Sequence, residues 1–377
     1  MGKRGRGWEE GLEGRAGWER LGGNYMKLEK QKEIRLPTGV LGMACAPGGG
    51  RVYASCMDGG VYAVAEGEQP RAMEGRHESY ASGCVLLPGG EMVISGGYDG
   101  VLIWHEVATG KCVRRVKAHG FWSWQMALSP DGKLVATVTG QYLAGGARYE
   151  PAGEREPSVR VYDARSGDLV HEFAHVPPVL SVAFSHDGRY LAAGNMMGEV
   201  RIWDLEKPGA GPVVVKSDGF TSWGSIKSHH YCGGIYGVRF APGDDSVVVC
   251  GMGAMTDPMA GNGKMTWQRW AWREAVPRMM GQIRDGEHGS GLMEALAWHP
   301  AGTHFLMAGR QAQGTWNVAL FSGSDGALVS SLDTKNRVTR AEFLADGTVW
   351  LGACDGQPGP KDGRWPDYGR VIRCGVG

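Results

Sequence analysis

No apolar run in the 377 residues approaches the roughly 18 that a membrane-spanning helix needs. Neither sign of charge dominates, since 40 Lys and Arg face 40 Asp and Glu. A neutral chain of this size has no charge-driven reason to bind nucleic acid or an anionic membrane, so neither is expected as a partner. Residues 1–25 carry charges but no apolar segment of the kind a secretory leader contains, and no secretory signal is expected. None of the eight cysteines forms a C-x-x-C pair, which excludes a zinc ribbon and a c-type haem attachment. They are Cys45, Cys56, Cys84, Cys112, Cys232, Cys250, Cys354 and Cys374, most of them in apolar runs such as SVVVCG around Cys250. Buried, reduced thiols and a reducing, cytoplasmic compartment are expected. No G-x-S-x-G elbow exists, which argues against a hydrolase of that type.

Glycine, by contrast, is abundant: 63 of 377 residues, more than twice the usual share of about 7%. A chain punctuated by turns this often does not form a helical bundle. A hydrophobic share of 42% and 14 Trp are enough for a sizeable core. One pattern recurs seven times, an alternating apolar segment, a tight turn and a second apolar segment. The copies are VLGMACAPGGGRVYAS, ASGCVLLPGGEMVIS, SWQMALSPDGKLVAT, VLSVAFSHDGRYLAA, IYGVRFAPGDDSVVV, MEALAWHPAGTHFLM and VTRAEFLADGTVWLG. Their turns fall at positions 49, 90, 132, 188, 244, 302 and 347, so the intervals are 41, 42, 56, 56, 58 and 45. Two strands and a tight turn at such periods predict propeller blades. A third apolar strand follows each hairpin, as in VLIWHE, VRVYDA and VRIWDL. In six copies a polar turn and a fourth strand come next, as in RSGDLVHEFAH.

These residues resemble the WD-repeat family. IWDL at 202–205 and VYDA at 161–164 occupy its signature dipeptide position, and SPDGKLVAT and SHDGRYLAAG match its first hairpin. His77, His119 and His175 each lie nine residues before Leu86, Leu128 and Phe184, as the family's loop histidine does. In the second copy the resemblance implies a buried hydrogen-bond tetrad of His77, Ser95, Asp99 and Trp104. The fourth copy has Met197 where the family has Asp. The fold expected is all-β, a seven-bladed propeller of four-stranded antiparallel blades over residues 26–377. The last copy stops after its third strand, while KLEKQKEIRL at 27–36 precedes the first copy as a spare strand, so pairing the two closes the ring. Residues 1–25 read as a disordered extension, or else as lying upstream of the true start at Met26.

Strand direction alternates, so successive connections lie on opposite faces of the disc. All four long connections, 141–157, 219–233, 254–265 and 357–369, belong to one face, which is therefore the expected working face. Its expected binding residues are Trp122, Trp124, Tyr142, Arg148, Trp223, His229, His230, Asp257, Arg310 and Trp365, rich in the Trp, Tyr and Arg that dominate binding energies. The same residues have a plainer use, pinning long loops onto the ring.

Three motifs suggest catalysis or metal binding. HEFAH at 171–175 fits His-Glu-x-x-His, but that chemistry needs a helix, and this stretch reads as a fourth strand before Pro177-Pro178. Gly263-Lys264 is followed by Met265, where a phosphate loop needs Ser or Thr. His229-His230 are adjacent in an extended segment and point opposite ways, a poor arrangement for one ion. No cofactor and no metal site are expected. The resemblance implies a non-catalytic platform for a protein or peptide, monomeric or part of a larger complex. The alternative is a propeller enzyme with a metal-dependent site at the mouth of the central channel.

Overall fold

The computed structural model describes residues 26–141, 148–149, 153–217, 219–224, 229–253, 263–355 and 368–377. Of 148–149, 222–224 and 229–232 it describes the backbone alone. Seven antiparallel sheets follow one another along the chain, as the repeat predicts. Each hairpin of the sequence forms the two inner strands of a blade. Blade two is built from Ala81–Leu86, Met92–Gly97, Val101–Glu106 and Cys112–Lys117, in that order from the channel outward. Blade seven is Arg337–Phe343, Val349–Cys354 and Gly369–Val376, and its outer strand is Leu28–Leu36 from the other end of the chain. The expected ring closure is therefore present. The expectation for residues 1–25 falls outside the described residues.

The turn chemistry is uniform. At all seven hairpin positions the backbone is left-handed, with φ between 57° and 83°, and the N–H donates to the carbonyl three residues earlier at 2.7–3.0 Å. Six of the seven residues are Gly, which takes this conformation without a Cβ clash. The seventh, Asp244, is held there by its own carboxylate, which accepts from the N–H groups of His186 and Asp187 at 2.9 and 3.1 Å. Asp tolerates this region better than most side chains.

Blades pack face to face through their apolar strand residues. Between blades five and six Trp267 meets Phe305 edge-on, and Phe305 stacks on Phe321, with centroids 5.0 and 5.4 Å apart. Burial of side chains this size contributes roughly 1.5–3 kcal/mol each. The seven described cysteines are free thiols, and six are buried, as expected.

The described strands that flank the four long connections end on one face of the disc, as the strand directions require. Two of them are joined. Arg148 and Tyr149 pair in parallel with His229 and His230, and Thr221–Gly224 pairs antiparallel with the same strand. The inner strand of blade five, His229–Phe240, thus extends beyond the disc and carries a ladder that ties the 141–157 insertion to the 219–233 insertion.

Candidate functional site

Around the channel mouth on the insertion-bearing face, aromatic side chains from three blades gather. Tyr98 occupies the turn between the second and third strands of blade two. Trp122 stacks on it at 5.0 Å and 10°, and Trp124 at 5.6 Å and 22°. Tyr80 lies 5.4 Å away on a third side, and Phe121 stacks on Trp122 at 4.9 Å. Trp124 reaches Tyr236 of blade five at 6.5 Å. Trp122 is 40% exposed, large for a Trp, so the array presents one open ring. Beneath it Tyr98 and Trp124 line a small recess with Glu294 and Arg337. Arg337 donates to both oxygens of Glu294 at 2.6 Å. Burial raises the Tyr98 phenol above its usual range, so it stays a neutral hydroxyl.

Trp122 and Trp124 were expected here, and the structure brings them together through Tyr98, Tyr80 and Tyr236, which sequence reasoning missed. The signal was positional. Tyr236 stands one residue after the start of its hairpin copy, the same place as Trp124 in copy three. Arg310 lies elsewhere on this face, exposed on the second strand of blade six, His304–Gln313. Arg148, Trp223, His229 and His230 have their backbones in the ladder that joins the two insertions, and their side chains lie outside the described residues. Tyr142, Asp257 and Trp365 lie wholly outside them.

The tetrad of blade two differs from the resemblance in one member. His77 Nδ1–H donates to Asp99 at 3.0 Å, and His77 Nε2 meets Ser95 Oγ at 2.9 Å. The next partner of Ser95 is His105 Nε2 at 2.9 Å, not Trp104. Trp104 points to the opposite face, where its indole N–H donates to the Ala164 carbonyl of blade three at 2.7 Å. Counting shows why. Met197, at the Asp position of blade four, precedes Trp203 by six residues, whereas Asp99 precedes Trp104 by five and His105 by six. One residue of offset reverses the face of a strand. His105 donates from Nδ1 to the Glu74 carbonyl at 2.9 Å, so its Nε2 accepts the Ser95 proton. Burial holds His105 down to about 4, consistent with a neutral ring.

Burial alone would raise the Asp99 carboxyl. Hydrogen bonds from His77 and from the N–H groups of Glu78 and Val101 outweigh that and keep it below the usual 3.8. A depressed carboxyl contributes stability that is fully present above its unfolded pKa and is lost as pH falls through the folded value. Asp99→Asn should therefore lower the melting temperature at pH 7 and flatten the acid limb of its pH profile. A parallel downward shift at every pH would contradict this assignment.

The HEFAH stretch is a strand. Leu169–Phe173 pairs with Val159–Asp163, and the His residues of the motif do not share a helical face. Glu172 accepts from Arg160 at 2.8 Å near the surface. His175 is buried, bonded to the Ala193 carbonyl at 3.1 Å and to the Val176 N–H at 2.8 Å, and burial holds it down to about 3. Glu172→Gln should change stability by no more than about 0.5–1 kcal/mol. His175→Ala should cost about 1–3 kcal/mol, because it empties a packed, hydrogen-bonded position. Denaturant titration of both variants checks the contrast. Among the described residues no three His, Cys, Asp or Glu converge as metal ligands, and no helix is long and apolar enough to cross a membrane.

Comparison with known proteins agrees with this geometry. The family model for the WD domain, G-beta repeat, matches residues 167–204, which span the last strand of blade three and three strands of blade four. A serine-threonine kinase receptor-associated protein of Gallus gallus is 32% identical over 130 residues, 34% of this chain and 33% of its own. The target of rapamycin complex subunit wat1 of Schizosaccharomyces pombe is 28% identical over 120 residues, 31% of this chain and 33% of its own. Subunit LST8 of Saccharomyces cerevisiae is likewise 28% identical over 120 residues, 31% of this chain and 34% of its own. The matched stretch thus spans about a third of each relative. With seven four-stranded blades, left-handed hairpin turns, a His–Ser–Asp network in blade two and a WD repeat matched at residues 167–204, the chain folds as a seven-bladed β-propeller of the WD-repeat type.

Proposed function

We propose that this propeller is a non-catalytic scaffold that holds a protein or peptide partner on its insertion-bearing face. The observation that carries the reading is the aromatic array of Tyr98, Trp122, Trp124 and Tyr236, set at the channel mouth on the face where all four long connections emerge. Propeller folds serve many functions, so the site and not the fold supports the reading. Stacked rings over a recess offer a large apolar contact with little side-chain entropy to lose, and Trp and Tyr are enriched at binding hot spots. Glu294 and Arg337 occupy each other beneath the rings, so the rings and the surrounding loops supply the contact. An extended segment laid across the mouth would stack on Trp122 and Trp124 and reach Arg310 with an acidic or carbonyl group. Two of the similar proteins are named as subunits of a target of rapamycin complex, which favours a partner-holding role in a larger assembly. The seven described free thiols favour a reducing compartment such as the cytoplasm.

The test is quantitative co-purification with the intact chain, Trp122→Ala, Trp124→Ala and a chain whose 141–157 loop is shortened. Each change should weaken retention of the same partner at least tenfold, about 1.4 kcal/mol, with the melting temperature nearly kept. Asp131→Ala and Asp325→Ala, in short turns of the opposite face, should retain it. Loss of the partner in those two controls alone would place the working surface on the other side.

A further inference from the structure

The other end of the channel carries a second feature. A cavity of about 390 Å³ opens toward the short-turn face, ringed by the closing residues of the inner strands, among them Leu128, Phe184, Phe240, Trp298 and Phe343. Its volume lies within the range of small-molecule sites, about 300–1,000 Å³. The charged side chains in its lining are Arg239 of blade five and Arg340 and Glu342 of blade seven, with His186 at the lip. His186 is already paired with Asp244 at 2.7 Å. Arg340 donates to the carbonyls of Thr339 and Ser82, and Arg239 donates to that of Val238. These are three bonds, while two guanidinium groups offer ten N–H donors. Among the described residues neither arginine has a carboxylate within ion-pair distance, although Glu342 shares the cavity and Glu294, paired with Arg337, lines the adjoining recess with Arg340. Glu342 instead accepts from the Cys45 N–H at 3.0 Å.

We propose that this cavity is an oxyanion site, in which Arg239 and Arg340 clamp a compact ligand bearing a phosphate or carboxylate group. Two guanidinium groups in one channel repel each other, and a shared oxyanion turns that repulsion into two charge-assisted contacts. Burial lowers both arginines and holds Arg340 down to about 10, against the opposing pull of Glu342 on Arg239 and of Glu294 on Arg340. Burial also raises Glu342 to about 7, so this acid is only partly ionised near neutrality. The apolar rim of Phe184, Phe240, Trp298 and Phe343 suits the carbon body of a small phosphate ester or dicarboxylate. Arg340 also lines the recess beneath the aromatic array, so it stands between the two ends of the channel, whereas Arg239 and the aromatic rim line this cavity alone.

Inorganic phosphate and succinate serve as probes, titrated into the full chain by calorimetry, with chloride at matched ionic strength as the control. Saturable binding of either probe is expected, weakened at least tenfold by Arg239→Gln and by Arg340→Gln and unchanged by Arg165→Gln on the outer surface. Tighter binding of phosphate assigns the ligand to the phosphate esters, and tighter binding of succinate to the carboxylates. Should either glutamine variant fail to fold, Glu342→Gln at pH 8 asks the same question. Removing its negative charge should tighten binding several-fold. Absence of saturable binding by both probes, or equal binding by the folded arginine variants, overturns the proposal.

Discussion

Deleting residues 27–36 is expected to lower the melting temperature by tens of degrees, or to leave the chain unfolded. Leu28–Leu36 pairs with Gly369–Val376 at eight positions. Its ends are buried, Leu28 at 3% and Leu36 at 1% exposed, in two different core clusters of blade seven. Each leucine contributes roughly 1.5–3 kcal/mol by burial. Arg370 pairs with Glu33 across the seam at 3.0 Å, and Leu28 N–H donates to Ser330 of blade six at 2.9 Å. Loss of several kcal/mol is a large share of a total that typically lies near 5–15. The deletion also bares a sheet edge, so soluble oligomers or aggregates should accompany the loss. Thermal unfolding by circular dichroism, with light scattering alongside, measures both effects. A deletion chain that melts with the intact protein would refute the closure.

The second large effect is expected at Glu294. Its carboxylate and the Arg337 guanidinium are almost wholly buried, at 9% and 11% side-chain exposure, and share two hydrogen bonds of 2.6 Å. Burial by itself would lower Arg337, but Glu294 more than reverses this and raises it. Removing one partner leaves the other charge buried and unpaired, which typically costs about 3–5 kcal/mol. Glu294→Ala should therefore destabilise strongly. The double change Glu294→Met with Arg337→Met should recover most of the loss, because paired apolar replacements of such ion pairs are often near neutral. Denaturant unfolding of both singles and the double closes the cycle. Additive losses in the double would mean that the two side chains do not act as a pair.

The blades were legible because their information is local. A left-handed turn needs Gly or a substitute, and the seven positions from Gly49 to Gly347 mark the hairpins whether or not the signature dipeptide is kept. Closure was legible from strand counting at the two ends. The site was legible only in part. Trp122 and Trp124 stood out by type, but Tyr98, Tyr236 and the Glu294–Arg337 pair meet across the channel from blades two, five, six and seven, and a linear reading has no distance for such meetings. The tetrad failed on parity. A Trp attracts the eye at position 104, while the residue that faces Ser95 is His105, one step further along an alternating strand. The paired arginines of the cavity have the same origin, since Arg239 and Arg340 belong to different hairpin copies and stand at different positions within them, five and seven residues before the turns at 244 and 347.

The seam between Leu28–Leu36 and Gly369–Val376 also sets an order of events in biosynthesis. The strand that finishes the ring leaves the ribosome first, and its partner follows more than 330 residues later. At about 5–20 residues per second the wait is roughly 20–70 s. Such a remote pairing makes the last step of folding slow. Throughout that interval an extended segment without a neighbour is a template for the wrong chain. LEKQKEIRL answers this in its composition, with five charged residues, Glu29, Lys30, Lys32, Glu33 and Arg35, between two leucines. Charges along a waiting edge repel other nascent chains, while the outward face of the finished blade keeps most of them in water. The same residues thus suit the strand both to its long exposure during synthesis and to its final place on the rim.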